Sequence, residues 1–132
     1  MPRLARGGKW VYGWIIVGGD RYIRLPREAW KDYGFAPGCP AIFLHGSRTS
    51  GGFALGLPDR VAGLLATRML GRSVFEEGRR VRVPEAVDVK PWQLLLAVRG
   101  SARALGLVTE GPLYDAATAF PGLPECLPHE LS

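Results

Sequence analysis

The tetrad Ile23-Arg24-Leu25-Pro26 returns 58 positions later as Val81-Arg82-Val83-Pro84. The correspondence runs on. Glu28-Ala29 is answered by Glu85-Ala86, Pro37 by Pro91, Gly46-Ser47 by Gly100-Ser101, Gly52 by Gly106 and Pro58 by Pro112. From Pro37 onward the spacing settles at 54, so the second copy lacks four residues just past its tetrad. Two copies are too few for a solenoid. Each alone, at roughly 40 residues, is too small to bury an adequate core. The repeats are therefore expected to share one core as a pseudo-dimer within one polypeptide, related by a pseudo-twofold axis.

At 132 residues, 47% hydrophobic and 22% charged, the chain has a globular composition. No apolar run approaches the ~18 residues that span a bilayer, and no secretory apolar core follows the basic start. A soluble cytoplasmic protein is the expectation. Cys39 and Cys126 stand far apart without ligand-spaced histidines, so the sequence implies no metal, disulfide framework or cofactor. Residues 1–31 hold seven basic side chains (Arg3, Arg6, Lys9, Arg21, Arg24, Arg27, Lys31) against Asp20 and Glu28. The remaining charges cancel, so the net charge of +5 resides in this N-terminal stretch, as suits a polyanionic partner. A solvated, arginine-rich surface gives the same count.

Along the chain, 10–17 is aromatic and β-branched and predicts a strand. Gly18-Gly19-Asp20 predicts a turn, and 21–25 an alternating strand with Tyr22 and Arg24 on one face and Ile23 and Leu25 on the other. Pro26 ends that strand and opens a short helix over 27–33 closed by Gly34. Strands follow at 41–45 and 52–55. The second copy repeats the order with strands at 73–76 and 79–83, an abbreviated helix at 84–87, and strands at 94–98 and 104–109. Proline-initiated helices are expected over 58–70 and 112–120, the first with Val61, Leu64, Leu65 and Leu70 as a covering apolar stripe. The tail 121–128 is expected to run over the surface. The organisation is thus a basic arm (1–13), a first repeat (14–56), a connecting helix (57–72), a second repeat (73–109), and a C-terminal helix and tail (110–132).

The string Gly19-Asp20-Arg21-Tyr22-Ile23-Arg24-Leu25-Pro26-Arg27-Glu28, with Tyr33-Gly34-Phe35-Ala36-Pro37-Gly38, resembles the AbrB/MazE/SpoVT family of swapped-hairpin DNA-binding domains. The second copy resembles it through Gly78-Arg79-Arg80-Val81-Arg82-Val83-Pro84-Glu85 and Pro91. The likeness covers roughly 14–56 and 73–109. Arg24 and Arg82 fit the Val-Arg-Ile-Pro form of the antitoxin branch. Departures are Cys39, where the family usually has Asp, Trp92 in place of the turn glycine, and the truncated second helix. The resemblance implies a mainly β fold with short helices, a swapped-hairpin AbrB-like β-barrel built from the two tandem copies. It also implies a sequence-specific regulator of transcription that binds double-stranded DNA through Arg21, Tyr22, Arg24 and Lys31 in the first copy and Arg79, Arg80 and Arg82 in the second.

An arginine between apolar neighbours in a strand projects away from the core, and arginine's fork suits guanine edges and phosphates. Surface ion pairs of Arg24 with Glu28 and Arg82 with Glu85 are the structural alternative. Two other functions stay open. One is an antitoxin-like interaction module, although the segments after the expected barrel are helical and proline-rich rather than acidic. The other is an enzyme that cleaves itself at Gly46-Ser47 or Gly100-Ser101, as pyruvoyl-forming decarboxylases do. Repetition of Gly-Ser at equivalent turns favours turn geometry over cleavage. His45 and His129 are isolated and suggest no acid–base pair. Self-association, as a homodimer or higher, is left open.

Overall fold

The computed structural model describes residues 10–46, 51–64 and 68–128. The basic residues Arg3, Arg6 and Lys9, together with Ser47, Leu65 and His129, lie outside them. The chain is mainly β with short helices. Its strands are β1 (Trp10–Ile16), β2 (Tyr22–Arg24), β3 (Pro40–His45), β4 (Phe53–Gly56), β5 (Met69–Val74), β6 (Arg80–Arg82), β7 (Leu94–Arg99), β8 (Leu105–Val108) and β9 (Glu125–Cys126). Its helices are α1 (Arg27–Asp32), α2 (Pro58–Val61), continued by a 3₁₀ turn over Ala62–Leu64, and α3 (Pro112–Thr118). Seven strands form one open sheet in the order β5-β3-β4-β8-β7-β1-β9, while β2 and β6 form a separate two-stranded ribbon. No helix among the described residues is long and apolar enough to cross a membrane.

The repeats exchange strands. β1 of the first pairs with β7 of the second, and β5 of the second pairs with β3 of the first, both antiparallel. The registers are equivalent: Trp14 faces Leu96 as Arg72 faces Ile42. Each exchanged pair carries a β-bulge at the same place, with Tyr12 the extra residue in β1 and Leu70 in β5. Two further pairings mark the pseudo-twofold axis. In the ribbon Ile23 faces its own counterpart Val81, and between β4 and β8 Phe53 faces its own counterpart Leu107. Loop hydrogen bonds obey the same symmetry. Leu25 N–H donates to Arg79 O at 2.8 Å and Val83 N–H to Arg21 O at 2.9 Å.

One buried cluster holds the inward residues of both tetrads (Ile23, Leu25, Val81, Val83) with Ile15, Phe43, Phe53, Phe75, Leu95, Leu105 and Leu107. The expectation of a shared core is thus met residue by residue. On the opposite face of the sheet α2 sets Val61 against Ile42 and Leu44, and α3 sets Ala117 against Val11, Leu96 and Val98. The two proline-initiated helices therefore cover equivalent patches, one for each repeat.

Four expectations are corrected. The barrel does not close, because β5 and β9 stand at opposite edges of the sheet without pairing to each other. The first connecting helix ends early, since Met69 and Leu70 already belong to β5, where Leu70 packs on the main core. The segment 84–87 is a turn, closed by Val87 N–H to Pro84 O at 3.0 Å, because four residues fewer leave no room for a helix. The tail does more than cross the surface. Glu125 and Cys126 add to β1 as a parallel strand, and Pro124 O accepts from Trp14 N–H at 2.7 Å, occupying the donor that an edge strand would leave bare. Gly13 makes this approach possible, since a Cβ there would stand 2.5 Å from Pro124 O.

Candidate nucleic-acid interface

The ribbon pairs the two tetrads strand to strand. Tyr22 faces Arg82, Ile23 faces Val81 and Arg24 faces Arg80. Side chains alternate across a strand, so burying Ile23 and Val81 completely turns Tyr22, Arg24, Arg80 and Arg82 to the other face. Four of the seven expected site residues thus share one face, three of them arginines.

That face is ordered by its own contacts. The Arg80 guanidinium lies 4.4 Å from the centroid of the Tyr22 ring, a cation–π arrangement. The Tyr22 hydroxyl donates to Glu76 Oε2 at 2.7 Å, and that bond pushes the phenol's pKa upward. Arg80 approaches Asp20 at 4.0 Å. Arg82 donates to Glu85 at 2.9 Å, and this hydrogen bond, aided by the charge of Arg21, holds the Glu85 carboxyl below its ordinary range. The ion pair Arg82–Glu85 weighed from the sequence is therefore present. With Glu85 75% exposed, it is a pair that solvent screens and an incoming phosphate can replace. Asp20 and Glu76 are the residues that reading the strand arginines alone missed. Their signal was the acidic residue flanking each turn.

Arg21 and Arg79 are placed differently. They precede β2 and β6 in left-handed conformations, φ 68° and 60°, which turn their side chains onto the other repeat. Arg21 Nε donates to Val83 O at 3.0 Å, and Arg79 Nε donates to Leu25 O at 2.9 Å. Arg21 reaches further, with Nη2 on Pro84 O at 2.5 Å and Val87 O at 2.6 Å and Nη1 on Val89 O at 3.4 Å. Its fork is committed to backbone carbonyls of the other repeat, so Arg21 has a structural role where the resemblance implies a DNA contact. Lys31 is exposed in the last turn of α1 and is not part of the ribbon.

Other candidates resolve locally. Ser101 Oγ accepts from Arg103 N–H and Ala104 N–H, both at 3.2 Å, the turn-stabilising role expected of it. Burial raises the Cys126 thiol's pKa. Among the described residues no group of three His, Cys, Asp or Glu side chains gathers as a metal site. Comparison with known families, curated proteins and solved structures returns no match.

Proposed function

We propose that this chain is a single-chain pseudo-dimer of the swapped-hairpin AbrB/MazE/SpoVT kind that binds double-stranded DNA across the outer face of the β2–β6 ribbon, as a regulator of transcription. The observation that carries the proposal is the pairing of the two tetrads about the pseudo-twofold axis. It sets three arginines and a tyrosine outward over a fully apolar underside. A duplex has local twofold symmetry, so an interface with its own twofold suits it. Guanidinium groups supply bidentate contacts to guanine edges or phosphates. Arg24, Arg80 and Arg82 are the contacts on this reading, with Tyr22 holding Arg80 in place. The basic residues of the N-terminal stretch add affinity through phosphates without choosing sequence.

Titrating duplexes with wild type, Arg24→Ala and Arg82→Ala at several salt concentrations tests this. Each change is expected to cost about 1–3 kcal/mol of specific binding. Arg82→Ala should leave the melting temperature nearly unchanged, because its side chain is 44% exposed. Deleting 1–9 should weaken all duplexes alike and flatten the salt slope. Affinity unaltered in both arginine variants would remove the proposal's support.

A further inference from the structure

Trp92 occupies a place that its backbone does not favour. Lys90-Pro91-Trp92-Gln93 is a β-turn closed by Gln93 N–H to Lys90 O at 3.1 Å, and Trp92 has φ 67°. Proline second and a left-handed residue third is the type II pattern, whose third position belongs to glycine. The first repeat follows that rule. In Ala36-Pro37-Gly38-Cys39 the closing bond is also 3.1 Å and Gly38 has φ 89°. Arg21 and Arg79 share the left-handed region, but their guanidinium groups hold the opposite repeat together. Trp92 has no such return, because its side chain is 68% exposed. An aromatic residue held in strain and left in solvent points to a binding role.

Its position gives the role a direction. The ring edge lies beside Gly19, where an added Cβ would be 3.9 Å from Cζ2. Gly19 precedes Asp20, whose carboxylate approaches Arg80, which in turn lies over Tyr22. Trp92 therefore stands at the rim of the ribbon face, at the first repeat's turn. The equivalent rim has Gly38, and Glu76-Glu77 in place of Gly18-Gly19. One end of the face carries an indole beside two glycines and Asp20, and the other a glycine beside two glutamates.

We propose, resting on the DNA-binding reading above, that Trp92 is a non-ionic contact to the duplex at one half-site only. It would pack on sugar, thymine methyl or an opened base step, so the chain reads unequal half-sites despite its pseudo-twofold fold. The arginines contribute through charge and counterion release, whereas an indole does not. The two contributions therefore separate by salt.

The test uses a duplex selected by the full-length wild-type protein from a random library, titrated at low and high salt with wild type, Trp92→Gly, Trp92→Phe and Arg82→Ala. Trp92→Gly should lower affinity on the order of tenfold at both salts with an unchanged salt slope, and leave the melting temperature level or higher. Trp92→Phe should keep most of the affinity. Arg82→Ala should reduce the salt slope by about one. Footprints should be unequal about the centre for wild type and more even for Trp92→Gly. If Trp92→Gly binds like wild type while Arg82→Ala weakens binding, Trp92 has no part in recognition and the DNA reading survives. A marked drop in melting temperature for Trp92→Gly makes the residue structural and overturns the inference. If no duplex is selected, or if both Arg82→Ala and Trp92→Gly bind the selected duplex like wild type, the DNA reading itself fails and the inference falls with it.

Discussion

The two repeats share a hydrogen-bonding plan but stabilise it by different means. The first carries a six-residue helix, α1, whose Trp30 stands edge-on to Phe35 and Phe75, with Tyr33 stacked on Phe35. The second has only a turn at the same point. A helix bonds most of its own carbonyls, and a turn leaves them without intrahelical partners. Val89 N–H and Val87 N–H close that turn on Val87 O and Pro84 O, and the carbonyls of Val83, Pro84, Val87 and Val89 all accept from the single guanidinium of Arg21, supplied from the first repeat. The shortened half is thus completed by its partner, which explains how a truncated copy persists within one shared core.

This comparison predicts its own strongest break. Arg21→Ala removes the donor shared by the Val83, Pro84, Val87 and Val89 carbonyls, the first and last of which do not close the turn, and should cost about 2–3 kcal/mol, read from urea denaturation. Arg21→Lys should recover little, since an ammonium lacks the planar fork that reaches carbonyls on several residues. The outward Arg82→Ala should stay within about 0.5 kcal/mol. Equal losses at Arg21 and Arg82 would mean that the guanidinium is not what replaces the missing helix.

Much of this plan was legible in the chain. The doubled tetrad announced the pseudo-twofold, and strand alternation placed Ile23 and Val81 inward with Arg24 and Arg82 outward. The repeat also extends back through β1 and β5, where only Gly13 and Gly71 coincide; different residues make the same strand and bulge, because pairing uses backbone groups. The role of Arg21 was hidden for a related reason. Its partners are carbonyls 62 to 68 positions away, which carry no side-chain signal. The added strand β9 was equally silent, since a proline-punctuated tail gives no periodicity. For the candidate site, the sequence located the basic face and the Glu85 partner of Arg82, but not the parts of Asp20 and Glu76.

The exchanged strands β1 and β5 offer the next break. Gly13 touches the tail, whereas the Cβ of a substituted Gly71 would stand 3.0 Å from Pro84 Cβ. Gly13→Ala should therefore cost about 2 kcal/mol and expose the Trp14 amide to hydrogen exchange, because Pro124 O is backbone and its displacement detaches β9. Gly71→Ala meets a ring that can shift by a few tenths of an ångström and should cost less, without altering exchange at Trp14. A smaller difference is expected in the type II turns. A methyl group added at Gly38 would meet nothing within 4 Å, so Gly38→Ala isolates the backbone cost of φ 89°, about 1 kcal/mol. Loss well above that would show that the turn is constrained by more than its dihedral angles.

The smallest effect on stability is expected at Glu85, and it bears most directly on the ribbon. Arg82 holds the folded carboxyl below its ordinary range, first through their hydrogen bond and then with the charge of Arg21. The stability this pair adds is present above the unfolded carboxylate pKa and is lost as pH falls through the lower folded value. Urea midpoints of wild type and Glu85→Gln should therefore differ slightly at neutral pH and converge in acid. In DNA binding the sign reverses. Glu85 competes with phosphate for Arg82, so Glu85→Gln should tighten binding at low salt by a few-fold and raise the salt slope toward one more released counterion. Weaker binding instead would mean that Glu85 aims Arg82 at its target, and the second tetrad would then be a positioned reader of bases rather than a source of charge.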